Sequence, residues 1–104
     1  MIDESSDREL FLSMSWTPEE LAYCGPAVDR LAARWAAKEA VLKAMGVGFG
    51  PYSPLDVEVV STDRVPRVLL HGLAAERASD LGITEWSLSL SHEEGFAVAL
   101  VIGQ

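Results

Sequence analysis

Residues 30–50, RLAARWAAKEAVLKAMGVGFG, constrain the fold more than any other stretch. Over Arg30–Met45, Ala and Leu dominate, Pro and Gly are absent, and Val41 is the single β-branched residue, so this segment reads as a helix. Leu31, Trp35, Leu42 and Met45 recur at helical spacing and give it one apolar side. Gly46 is placed to close it as a left-handed cap, and Gly48 and Gly50 leave the exit loop open to unusual backbone angles.

The polar residues of this helix are patterned too. Arg30, Arg34 and Lys38 are spaced i, i+4, i+8 and stack three cations in one stripe. Like charges at that spacing cost a few tenths of a kcal/mol per pair, which an anion lying against the helix would offset. Glu39 is four residues after Trp35 and three before Leu42, on or beside the apolar side. A carboxylate there needs a partner, because burying an unpaired charge is expensive. Lys43, four residues on, is one candidate and makes a favourable surface ion pair; a divalent cation is the other.

A chain of 104 residues, 49% hydrophobic, is enough for one small domain, and chains this short often oligomerise. The net charge of −8 argues against nucleic acid or an anionic membrane as the main partner. Four of the eight basic residues nevertheless fall between Arg30 and Lys43, a local cationic patch suited to a small phosphorylated ligand. Cys24 is the single cysteine, so no internal disulfide forms and a reducing cytoplasm is the expected home. No apolar run is long enough to span a membrane, and the acidic start lacks a signal-peptide core.

In chain order, residues 1–10 are polar and expected to be poorly ordered, with a short helix or helix end over Glu9–Ser15. Thr17, Pro18 and Glu20 form a helix start of capping-box type, and that helix breaks at Gly25-Pro26. Leu55–Val60 and Pro66–Leu70 read as two strands, and Leu73–Leu81 as a helix closed by Gly82. Thr84–His92 alternates Trp86, Leu88 and Leu90 against Ser87, Ser89 and Ser91; Glu93–Gly95 is a turn; Phe96–Ile102 is a final apolar strand. The small Ala97 and Ala99 let a helix pack closely, and the central helix is the candidate. The class is α+β: an antiparallel sheet with a long helix laid across it.

Spacing alone gives little chemistry. His92 ends an apolar strand face, where a lone histidine is more often structural or simply exposed. The glycines at 46, 48 and 50 are weak evidence for a phosphate loop, and there is no Walker motif, nucleophile elbow or His–Glu zinc spacing.

The run Trp35-Ala36-Ala37-Lys38-Glu39-Ala40-Val41-Leu42-Lys43-Ala44, followed by Gly46-Val47-Gly48, changes this. It resembles the signature of holo-acyl-carrier-protein synthases, the small class of 4′-phosphopantetheinyl transferases. The surrounding order matches as well: Thr17 to Glu20, Tyr23-Cys24, Asp56 to Val59, Pro66, Leu81 to Ile83, and Ser89 to His92 before an Ala-rich strand. The resemblance runs from about Phe11 to Ile102. It implies a 4′-phosphopantetheinyl transferase-like fold that forms homotrimers, with each active site between two protomers. It implies magnesium-dependent transfer of the 4′-phosphopantetheine arm of coenzyme A to a serine of an acyl carrier protein, in fatty-acid or polyketide synthesis. By the same resemblance Glu39 matches the metal-binding glutamate and Lys43 the lysine on the transferring phosphates. Arg34 and His92 match positions holding the nucleotide and its 3′-phosphate, and Lys38, Gly46, Pro66 and Ser91 match residues lining the same region.

Two stretches depart from the pattern. Relatives open with a strand carrying a second metal-binding Asp and continue into a basic first helix. Here the strand has no counterpart, Asp3 lies too close to Thr17 to take its place, and Arg8 is the lone cation of the first helix region. Before Pro66, relatives usually place Gly and then a basic residue, where this chain has Arg64 and Val65. A relative that binds coenzyme A with little turnover, or a non-enzymatic assembly subunit, is therefore the alternative expectation.

Overall fold

The chain begins with three helices and continues as two hairpins separated by a fourth helix. The computed structural model describes residues 4–93 and 96–104; Asp3, and Glu94 and Gly95 of the expected turn, lie outside them. The helices are α1 (Glu4–Ser15), α2 (Pro18–Cys24), α3 (Val28–Ala44) and α4 (Gly72–Leu81). The strands are β1 (Val57–Thr62), β2 (Val65–Leu70), β3 (Trp86–Glu93) and β4 (Phe96–Gly103), with a 3-10 turn over Pro54–Asp56 before β1. Helix α1 starts at Glu4, five residues earlier than the apolar spacing puts it; Asp7 near its start complements the positive end of the helix dipole. Strand β1 starts at Val57, later than expected, because Pro54 and the Ser53 side chain wind the preceding residues into a turn.

The α+β class holds, with one change. Strands β1 and β2 pair with each other, as do β3 and β4, antiparallel in both cases, giving two two-stranded ladders and not one continuous sheet. Helix α3 lies across β4, whose inward positions include the small Ala97 and Ala99. The core joins Val41, Leu42 and Met45 of α3, Val57 of β1, and Ala74 and Ala78 of α4. The side of α3 facing it is Ala33, Arg34, Ala37, Lys38, Val41 and Leu42. Leu31 and Trp35 are half-buried on another side, where the Trp35 ring stacks on Phe49 at 4.7 Å and meets Trp16 at 5.7 Å.

Local chemistry sets the ends of the elements. Thr17 and Glu20 form the expected capping box, each side chain bonded to the other's backbone N–H. Helix α3 ends in a Schellman motif, with Val47 N–H on Leu42 O (3.0 Å) and Gly46 N–H on Lys43 O (3.0 Å), and Gly46 takes φ +74°. The β1–β2 turn is Asp63-Arg64, two residues flanked by the Thr62–Val65 pair, and both have positive φ (51° and 67°). That is a type I′ turn, where Asn and Gly sit easily. An Arg at its second position costs on the order of 1 kcal/mol in backbone strain.

A buried polar network ties α2, α3 and β1 together. Lys38 is 0% exposed, and its ammonium donates to Glu20 Oε1 (2.7 Å), Pro54 O (2.8 Å) and Val57 O. Glu20, 1% exposed, also accepts from Thr17 N–H (2.9 Å) and Val59 N–H (2.9 Å). Thr17 Oγ1 donates to Glu58 Oε2, and Glu58 Oε1 lies 3.0 Å from His71 Nε2. Burial pushes the Lys38 ammonium below its ordinary range, and the Glu20 carboxylate opposes that shift. Burial raises Glu58, but the hydrogen bonds from Thr17 and His71 outweigh it and hold the carboxyl below its usual value.

Removing the Lys38 cation leaves a buried carboxylate and two backbone carbonyls without their donor. Lys38→Met is expected to lower the unfolding free energy by about 3 kcal/mol. Urea unfolding of the two forms checks this, and a loss below about 1 kcal/mol would show that Glu20 is satisfied by its backbone donors alone.

Candidate active site

Two polar clusters occupy different sides of α3. The first surrounds a cavity of about 340 Å³ between α2, α3, the β1–β2 turn and β3. Tyr23 comes from α2, Arg30 and Arg34 from α3, Ser61 from β1, Arg64 from the turn, Pro66 from β2, and Ser89 and His92 from β3. Arg34 is 5% exposed. Its guanidinium sits over the Tyr23 ring at 4.8 Å, donates to Ser61 Oγ at 2.9 Å, and donates from Nη1 to Arg30 O at 3.3 Å. Arg34 Nε is buried and, among the described residues, has no hydrogen-bond partner. His92 is half-exposed, with Nδ1 3.9 Å from Asp29 Oδ2.

The second cluster is Glu39 with Lys43, beside Ala36 and Ala40 on a shallow surface. Lys43 Nζ lies 2.9 Å from Glu39 Oε1, and the two side chains are 71% and 47% exposed. At 100° per residue, Glu39 is turned about 140° and Lys43 about 180° from Arg34 around the helix. One chain therefore does not bring its two clusters together.

Several expectations are corrected here. Lys38 does not line a ligand surface: it is buried, and three acceptors inside the chain take its donors. Glu39 is not on the buried side, because the core stripe of α3 runs through Ala33, Ala37 and Val41 instead. Ser91 is exposed on the face of β3 opposite His92, and is not among the residues lining the cavity. Gly46 is at the far end of α3 from the cavity, beside the Arg77 guanidinium, whose Nε donates to Met45 O at 3.0 Å. Arg34, Pro66 and His92 do come together. Sequence reasoning missed Tyr23, Ser61, Ser89 and Arg64 as members of their cavity. The signal that was available is the pair of basic residues at 30 and 34 facing a third at 64, ahead of Pro66.

A single carboxylate fits one kind of metal. Among the described residues no three His, Cys, Asp or Glu side chains gather as a ligand set. Magnesium is commonly held by one or two carboxylates, with waters and substrate phosphates completing its octahedron. Glu39, half-exposed and tied by a surface ion pair that contributes at most about 1 kcal/mol, is open to that role.

The family model described as the 4′-phosphopantetheinyl transferase superfamily matches residues 2–101 of the chain. The chain belongs to that superfamily. Within it, a holo-[acyl-carrier-protein] synthase of Herpetosiphon aurantiacus is 45% identical over 101 residues, covering 89% of this chain and 80% of that protein. Fatty acid synthase subunit alpha of Schizosaccharomyces pombe is 38% identical over 104 residues, 94% of this chain but 6% of that subunit. Among solved structures, Helicobacter pylori holo-[acyl-carrier-protein] synthase in complex with coenzyme A superposes with a TM-score of 0.84 at 31% identity, covering 94% of this chain and 84% of that one. The phosphopantetheinyl transferase fold is thus carried by nearly the whole chain.

Proposed function

We propose that this chain transfers the 4′-phosphopantetheine arm of coenzyme A to a serine of an acyl carrier protein. Membership of the transferase superfamily and 45% identity to a holo-[acyl-carrier-protein] synthase support the activity. The observation that carries the site is the arginine-lined cavity that includes Arg34, Pro66 and His92. In this reading the cavity takes the nucleotide end of coenzyme A, with Arg34 and His92 on its phosphate.

The carrier serine oxygen attacks the β-phosphorus and forms the new phosphoester. The bond from that phosphorus to the bridging oxygen breaks, adenosine 3′,5′-bisphosphate leaves, and the serine proton passes to solvent. Lys43 contributes a compact positive charge at the transferring phosphates, where charge builds as the bond breaks. Glu39 is the residue that would hold a magnesium ion, with the substrate phosphates completing its coordination. When bound, the metal neutralises pyrophosphate charge and orients it. Lys43 gives up its half-solvated pair with Glu39 at little cost.

Because the two clusters face apart on α3, we place the complete site between copies, with Arg34 and His92 from one protomer and Glu39 and Lys43 from the next. A homotrimer closes such a heterologous contact into a ring. Cys24, the single cysteine, leaves the chain with no internal disulfide, which accords with a reducing compartment such as the cytoplasm.

The test is carrier modification with coenzyme A and magnesium. Arg34→Ala is expected to lower kcat/KM for coenzyme A about tenfold or more, with a smaller loss for the form lacking the 3′-phosphate. Equal losses with the two donors would remove Arg34 from the phosphate, and no transfer by the wild-type chain would remove the activity.

A further inference from the structure

Lys43 stands in the last turn of α3, just before the C-cap residue Met45. A final turn is where a helix frays, because its carbonyls have lost their intrahelical donors. The Lys43 side chain is 71% exposed, and among the described residues its single ion pair is to Glu39 on the same helix. The backbone of that turn therefore decides where the ammonium points.

Arg77 of α4 holds this backbone. Its Nε donates to Met45 O at 3.0 Å, across 32 residues of chain, and its Nη2 lies over Gly46, 3.7 Å from where a Cβ would stand. The Schellman bonds close Leu42 O and Lys43 O from within α3, and Arg77 closes Met45 O from another element. Asp80, three residues on along α4, is the ordinary surface partner for such an arginine. Among the described residues Arg77 pairs neither with it nor with any other carboxylate, and it is half-buried against the end of α3 instead. A cation there also complements the negative end of the helix dipole. The element that carries it is well anchored: Ala74 and Ala78 of α4 pack in the core with Val41, Leu42 and Met45.

We infer that Arg77 is a positioning residue for Lys43. By tying the end of α3 to α4, it fixes the direction from which the ammonium meets the transferring phosphates. The inference rests on the reading that Lys43 contacts those phosphates. Phosphoryl transfer depends on positioning, and a displacement of about 1 Å at the reacting centre costs up to about a hundredfold in rate.

A double-mutant cycle on kcat for carrier modification tests this, with every variant assayed well below its melting temperature. Arg77→Ala is expected to melt about 5 °C lower, the scale of one lost hydrogen bond in a domain of this size. Lys43→Ala is expected to lower kcat about a hundredfold, and Arg77→Ala about tenfold. Added to Lys43→Ala, Arg77→Ala is expected to change kcat less than twofold, because the ammonium it positions is gone. A purely structural Arg77 would instead give the same tenfold loss in both backgrounds, since a smaller folded fraction multiplies every rate alike. That result, or a wild-type kcat for Arg77→Ala alone, would overturn the inference and leave the reading of Lys43 intact. A wild-type kcat for Lys43→Ala would overturn both.

Discussion

Glu39→Gln is expected to lower magnesium-dependent transfer by on the order of a thousandfold, the scale for loss of a group that stabilises transferring charge. The amide keeps the shape of the side chain and removes its negative charge, so a divalent cation held there would lose the carboxylate that binds it. Stability should stay within about 0.5 kcal/mol of wild type, because the Glu39–Lys43 pair is exposed. Rates at several magnesium concentrations, with a melting curve beside them, check both halves. Unchanged turnover would return the pair to a plain surface salt bridge.

The second large effect comes from mixing two impaired variants. Arg34→Ala spoils the cavity cluster and Glu39→Gln spoils the other, and the two positions are turned about 140° apart on the helix. If each site takes one cluster from each of two neighbouring copies, random trimers of the two variants contain some sites with both clusters intact. The chance at any site is one half times one half. Co-refolding equal amounts is expected to restore about a quarter of wild-type activity. Each variant refolded alone should remain at its own low level. A mixture no more active than the average of its parts would place both clusters in a single chain.

Much of the local structure was legible because it follows from short-range chemistry. Thr17 and Glu20 announced the start of α2, and Gly46 and Gly82 the ends of α3 and α4. The alternation of Trp86, Leu88 and Leu90 with three serines is the alternation of half-buried and exposed residues on β3. What was misread is which side of α3 faces inward. Ala33 and Ala37 carry little hydrophobic weight, yet a close-packed strand with Ala97 and Ala99 favours small residues there. That choice draws Arg34 and Lys38 inward with them, and a stripe of cations read as surface becomes half core.

The pairing of strands was hidden for a similar reason. Each hairpin satisfies its own ladder, and only distant contacts decide whether two ladders merge. The cavity was partly visible through Arg34, Pro66 and His92, whose matches to a known signature were recognisable. Tyr23, Ser61 and Arg64 were not, because three separate elements bring them there.

Glu20 does two things with one carboxylate. It closes the start of α2, and it clamps Lys38 while holding the Val59 amide of β1. The first turn of α2 therefore cannot fray without releasing the middle of α3 and the edge of β1 at the same moment. Local opening in this region is expected to be all-or-none, with these three elements acting as one cooperative folding unit despite lying up to 39 residues apart along the chain.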